Sequence, residues 1–203
     1  MKLQHDNLFF SFMDKIGDFI ALNLLFILSC IPIVTIGASC CALYGTIKKR
    51  LHDEERSIFY DYVIYFRTNF KNATLLFLFY SVILSLLLYY SHYIAKGNST
   101  IIEIVGYLFL FLYFTFSMLY CFPLQTTFLN TPWNLIKNSF FTAFLHLPNT
   151  ILLFFLTYLP IVITWLYPNL FPITCLYWVT IGFSINCIIS ISITTPIFNK
   201  YKS

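Results

Sequence analysis

Charge is what this sequence has least of. Of 203 residues, 12 are Lys or Arg and 8 are Asp or Glu, so charged side chains make up 10% of the chain against 59% hydrophobic ones. A water-soluble domain keeps roughly a quarter of its residues charged, and no polar tract here is long enough to form one. Glycine is also scarce, with 6 residues. There is no Walker A loop and no GxGxxG turn, and HExxH and GxSxG are missing as well. The histidines, at 5, 52, 92 and 146, fall in separate loops or span ends, so neither a metal site nor a Cys/His pair is suggested. The six cysteines, at 30, 40, 41, 121, 175 and 187, sit in apolar runs without the short paired spacings of zinc or redox motifs. A disulfide between the adjacent Cys40 and Cys41 would be strained, so the cysteines read as small packing residues. Basic residues are spread over loops and do not cluster among exposed aromatics, which argues against nucleic acid as a partner. The expectation is a protein that is no enzyme and holds neither a cofactor nor a metal.

What is abundant is apolar and aromatic surface, including 24 Phe and 15 Tyr. That much apolar surface needs lipid as its solvent, so the lipid bilayer is the first partner and the fold class is an all-α polytopic transmembrane bundle, residues 1–203 forming one membrane domain. The N-terminal segment mixes Asp6, Asp14 and Asp18 with Lys2 and Lys15, unlike a cleavable signal. The same acidic flank argues against reading Ile27-Leu28-Ser29-Cys30 as a lipoprotein site.

The stretch from Asn23 to Gly45 organises the rest. Pro32 stops a helix and restricts Ile31 before it, and the β-branched run Ile33 to Ile36 with Gly37 favours turning backbone. Residues 8–50 are therefore expected to form a broken helical hairpin, with a first helix from about Leu8 to Ile31 and a return from about Ala38 to Leu51. Gly37, Cys41 and Gly45 recur every four residues beside Ala38 and Ala42, a small-residue stripe that lets a neighbouring helix come close. Leu43 is expected to face lipid. Asp14 and Asp18 share a helix face. They fit either a cation or proton site or, as the favoured reading, headgroup-level solvation beside Lys15. Asn23 lies deeper, where its amide needs a partner, and the expected one is a backbone group freed by the Pro32 break.

Beyond Lys48-Lys49-Arg50 and the hydrophilic connection Asp53 to Arg56, Ser57 is a helix N-cap. Residues 57–72 then fit an interfacial amphipathic helix: Ile58, Phe59, Tyr62, Phe66 and Phe70 on one side, Asp61, Arg67, Thr68 and Lys71 on the other. Asn69 breaks the pattern within the apolar face, and a bridge to the hairpin or to a freed carbonyl is its expected role.

The run Asn23-Leu24-Leu25, then Pro32-Ile33-Val34-Thr35-Ile36-Gly37, then Ala42-Leu43-Tyr44, followed by Phe66-Arg67-Thr68-Asn69-Phe70-Lys71-Asn72-Ala73-Thr74, resembles the YesL family of bacterial membrane proteins. The likeness covers about residues 14 to 90, with Phe26 where the family commonly has Trp and Asn72 where it has Gln. It singles out Asn23, Pro32, Thr35, Gly37, Tyr44, Phe66, Asn69 and Phe70 as structural and motif candidates. What the resemblance implies is an integral membrane protein, often encoded beside carbohydrate-uptake and polysaccharide-degradation genes, with no established biochemical activity.

Four further membrane helices are expected in 73–195, at about 73–93, 101–122, 147–167 and 171–195. The aromatic stripes of the second, Phe109, Tyr113, Phe116 and Tyr120 and then Tyr107, Phe111, Phe114 and Met118, suit either a sugar-stacking wall or ordinary packing, and packing is the commoner case. Pro123, Pro132 and Pro148 punctuate a connection carrying Trp133 and Lys137, whose middle suits a second interfacial segment. Pro160 would kink the fifth span and free a carbonyl within reach of Thr157 or Thr164. If residues 8–50 cross once, the Lys and Arg residues divide nine against three between the two sides; if the chain returns at Pro32, they divide eleven against one. The positive-inside bias selects the return, giving about six membrane segments with both termini cytoplasmic in the bacterial cell membrane. The function that the resemblance implies is that of a non-enzymatic accessory or regulatory component associated with carbohydrate uptake and utilisation, with a carbohydrate permease or another membrane protein as partner. The alternative is a small-solute transporter, since Pro- and Gly-broken helices near mid-membrane can expose backbone to a substrate.

Overall fold

The computed structural model describes the backbone of residues 2–52, 57–97, 99–128 and 130–201, and the side chains of these from Met13 onward, Leu170 excepted. His5, Asp6 and the connection Asp53 to Arg56 lie outside the described side chains. All the regular structure among the described residues is helical: α1 (Lys2–Cys30), α2 (Ile36–Leu51), α3 (Ile58–Ala95), α4 (Ile101–Thr127), α5 (Pro132–Leu145), α6 (Leu147–Leu166), α7 (Phe171–Tyr177) and α8 (Phe183–Asn199). Four of these stretches are long and apolar enough to cross a membrane, namely α3, α4, α6 and the continuous run Phe171–Asn199. Neither α1, whose side chains are described only from Met13, nor the 16-residue α2 is among them, so four of the about six expected segments are established among the described residues.

That pair is the predicted hairpin. Pro32 adopts extended backbone (φ −76°, ψ 109°) and leads into a single 3₁₀ turn, Ile33–Thr35. The last carbonyls of a helix have no partner within it. Here the Thr35 hydroxyl donates to the Ser29 carbonyl at 2.5 Å and to the Pro32 carbonyl at 2.6 Å, closing the end of α1. Thr35 in turn accepts from the Ser39 hydroxyl at 2.9 Å. The tip itself is bare and apolar, with Ile31 72% and Ile33 71% exposed.

α2 returns along α1 and packs in the middle of the bundle. A Cβ added to Gly37 would run into the Ala73 carbonyl oxygen and lie 2.8 Å from the Phe77 Cβ, and one added to Gly45 would meet the Tyr65 ring at 2.6 Å. Both glycines of the small-residue stripe therefore seat α3 directly, while Cys41 between them is fully buried against Ala73 and Phe122. Leu43 does not face lipid. It is 4% exposed, packed with Leu22, Phe26 and Tyr62, because α2 is covered on its other side by α1 and α8.

The expected boundary between an interfacial helix 57–72 and a span beginning at 73 is absent. Ile58–Ala95 is one helix of 38 residues, about 57 Å long against a hydrocarbon core of about 30 Å. Nothing in the sequence interrupts it, since the segment has neither Pro nor Gly. Its first turns are also not polar on the expected face. Asp61 is 5% exposed and accepts from the Lys49 ammonium at 2.9 Å, whereas Phe59 is 59% exposed. Pro123 likewise does not end α4, which continues to Thr127. Proline is tolerated in membrane helices when neighbours cover the freed groups.

α5 joins the C-terminal end of α4 to the start of α6 and lies against α4, with the Tyr113 and Phe140 rings stacked at 3.9 Å. Phe116 meets Phe154 of α6, and Tyr120, fully buried, bonds Thr150 at 3.0 Å. The aromatic stripes of α4 are thus largely packing surface.

Contacts gather the same ends. Arg50 pairs with Asp18, Lys48 donates to Thr127 at 3.1 Å, Phe128 packs on Phe198, and His146 bonds Tyr201 at 3.1 Å. The end of α2, the starts of α3 and α6, the end of α4 and the end of α8 therefore share one end of the bundle, from which α1 enters. The 96–100 and 166–171 connections lie at the other. Asp18 is not a headgroup-level partner of Lys15 alone, because the returning helix brings Arg50 to it.

Candidate functional site

Two polar features stand out from the apolar bundle. The first is Asn23, which is fully buried. Its partner is not the Pro32 break. Between α7 and α8 the last span widens into a π-helical turn, Trp178–Gly182, and such turns leave backbone groups out of the regular ladder. The Asn23 amide nitrogen donates to the carbonyls of Trp178 at 2.9 Å and Val179 at 2.8 Å. Its oxygen accepts from the backbone N–H groups of Phe183 at 2.9 Å and Ser184 at 3.1 Å. One carboxamide thereby uses both of its donors and both of its lone pairs across the wide turn. The Ser184 hydroxyl adds a return bond to the Phe19 carbonyl at 2.8 Å. The first and last helices are clasped together at mid-bundle, and the clasp has no spare capacity for a ligand.

The second feature is a cleft of about 620 Å³ at the end where Lys48 to Arg50 lie. α3 contributes Tyr65, Thr68, Asn69 and Asn72, spaced i, i+3, i+4, i+7 and hence on one helix face. The end of α4 contributes Gln125, Thr126 and Thr127, and the connection into α5 adds Phe128, Asn130, Thr131 and Pro132. A smaller pocket of about 270 Å³ adjoins it, sharing Tyr65, Thr126 and Thr127 and reaching Lys48, Lys49 and His52. Thr131 caps α5 by accepting from the Asn134 N–H at 3.4 Å. Asn69 donates to the Tyr65 carbonyl at 3.0 Å and accepts from the Gln125 amide at 3.1 Å, tying α3 to α4 across the floor. Asn69 therefore bridges as expected, but to α4 and not to the hairpin.

None of the residues lining the larger cleft carries a formal charge at neutral pH. Of the charges nearby, Lys49 pairs with Asp61, Arg50 pairs with Asp18, and Lys48 donates to Thr127. Among the described residues no three His, Cys, Asp or Glu side chains come together. One turn below the cleft the bundle is dry, with Ala73, Leu76, Cys121 and Phe122 all buried.

The eight motif residues do not form one site. Asn23 makes the clasp, and Pro32 and Thr35 make the turn. Gly37 makes the close contact with α3. Tyr44 bonds Thr194 of α8 at 2.7 Å in the core. Phe66 and Phe70 meet as tilted rings with centroids 5.6 Å apart, with Phe70 exposed. Asn69 alone lines the cleft. Sequence reading missed its companions Asn72, Gln125 and Asn130, although the polar stripe on α3 was there at helical spacing. The freed carbonyl near Pro160 is likewise not what Thr164 serves: that hydroxyl donates to Pro160's own carbonyl at 2.8 Å and accepts from the Trp178 indole at 3.3 Å.

The family model described as "Protein of unknown function, DUF624" matches residues 19–91. The match spans most of the hairpin and nearly all of α3, so it includes the clasp residue and the α3 wall of the cleft and stops short of α4. No curated protein and no solved structure matches the chain.

Proposed function

We propose that this chain is a YesL-type multi-pass protein of the bacterial cytoplasmic membrane that works by binding, as an accessory or regulatory component of carbohydrate uptake and utilisation. The observation that carries the binding reading is the blind end of the polar cleft. Asn69 and Gln125 form its floor, and the next turn is closed by Ala73, Leu76 and Phe122. A site open at one end and sealed by close-packed side chains suits recognition better than passage. The broken last span, the feature that would favour a transporter, has its freed backbone groups held by Asn23. The family likeness supports the carbohydrate context. Of the nine Lys and Arg side chains among the described residues, eight lie on or next to the end that carries the cleft and Lys96 lies at the other, which supports a cytoplasmic cleft and cytoplasmic termini.

Affinity purification from native membranes tests this reading. A carbohydrate permease is expected to co-purify. A solitary protein that moves radiolabelled sugar into proteoliposomes would replace the accessory role with transport.

A further inference from the structure

The uncharged cleft has hydrogen-bonding capacity that the protein itself leaves unused. Asn72 and Asn130 line it, and among the described residues neither carboxamide makes a hydrogen bond. Gln125 is 8% exposed, and its side-chain oxygen has no partner although its nitrogen is bonded to Asn69. A buried acceptor without a partner costs about 1–3 kcal/mol, so the Gln125 oxygen points to a ligand that completes it, and the half-buried Asn72 and exposed Asn130 set further unspent donors and acceptors around the same cavity. The chemistry of that ligand follows from the lining. Asn72 and Asn130 offer both donors and acceptors, and the hydroxyl oxygens of Thr68 and Thr126, whose protons go to the Ile64 and Pro123 carbonyls, add acceptors, which matches groups that both donate and accept. None of the lining side chains is charged, and the nearest ammonium described, that of Lys48, donates to the Thr127 hydroxyl. Tyr65 and Phe128 supply rings at its edge, suited to the apolar face of a ring-shaped ligand. A volume of about 620 Å³ falls within the range of about 300–1,000 Å³ usual for small-molecule sites.

We infer that the cleft between α3, the end of α4 and the α4–α5 connection binds a neutral sugar of one or two rings, held by Asn72, Asn130 and Gln125. This rests on the binding reading above and gives it a ligand: the accessory protein would sense uncharged sugar on the side where the cleft opens. Because carboxamide contacts are individually modest, affinity in the millimolar to high micromolar range is expected.

Saturation-transfer NMR on the full chain in lipid nanodiscs provides the test, with maltose, cellobiose, lactose and rhamnose as neutral probes and glucose 6-phosphate and glucuronate as charged ones. Transfer is expected to at least one neutral sugar, with binding weakened about fivefold in each of Asn72→Leu and Asn130→Leu, by the loss of one net hydrogen bond. Both residues are at least partly solvent-accessible, so both variants should keep the parent's thermal unfolding temperature. Gln125→Leu serves as a third variant, with its fold checked in the same way. No transfer to any neutral sugar, stronger transfer to the charged probes, or transfer unchanged in all three variants overturns the assignment. The outcome is separable from the partner experiment. A permease that co-purifies with a chain that binds no sugar removes only the cleft's ligand, and sugar binding without a permease removes only the accessory role.

Discussion

Single side chains do an unusual share of the work here because lipid offers no hydrogen bonds to groups left out of a helix. Asn23 is the clearest case. Asn23→Leu would leave the carbonyls of Trp178 and Val179 and the N–H groups of Phe183 and Ser184 without their side-chain partner. The expected loss is about 2–3 kcal/mol, read as a lowered unfolding temperature in detergent. Leu86→Ile on the exposed face of α3 should change it little, and equal stabilities would show that the clasp is idle. Gly37 tests packing in the same way. A methyl group there meets backbone, which has no rotamer to escape into, so Gly37→Ala should cost about 1–3 kcal/mol. Gly45→Leu should also exceed the Leu86→Ile control, because the Tyr65 ring is in direct contact.

At the scale of elements, the hairpin was legible and α3 was not, for different reasons. Proline and glycine act through local backbone sterics, so the turn at Pro32 and the stripe Gly37, Cys41, Gly45 are written into neighbouring residues. The division at residue 73 was inferred from a change of composition, from mixed to wholly apolar, and composition does not break hydrogen bonds. The apolar side chains of 58–72 that suggested a bilayer surface are divided between α2 and the exterior, since α2 and its lysines cover the Asp61 face. The partner of Asn23 was hidden for a related reason: a π turn has no propensity signature, and the contact joins residues some 155 positions apart. The cleft was half legible, its α3 wall lying at helical spacing and its other wall in a Pro-punctuated connection. The continuity of α3 predicts a distance. Spin labels replacing Phe59 and Tyr93, both exposed, should lie about 51 Å apart along an unbroken helix, at 1.5 Å per residue. A separation below about 40 Å by pulsed electron resonance would restore the break at 73.

For the molecule as a whole, four helices long and apolar enough to cross a membrane pack with the α1–α2 hairpin. α2 has 16 residues, about 24 Å of helix against a hydrocarbon core of about 30 Å. In the proposed topology the exposed apolar tip at Ile31 and Ile33 sits within lipid and the chain returns to the side it came from. The hairpin brings Arg50 to Asp18, and among the described residues the basic side chains other than Lys96 lie at or next to the end that carries the cleft. Single cysteines at Gln4, Thr68 and Lys96 in a cysteine-free background, probed with a membrane-impermeant maleimide on intact spheroplasts, test this topology most directly; Gln4 itself lies outside the described side chains. The account predicts labelling at Lys96→Cys alone, with Gln4→Cys and Thr68→Cys reacting only after permeabilisation. Labelling of Gln4→Cys from outside would mean that residues 8–50 cross the membrane once, and would contradict the returning hairpin.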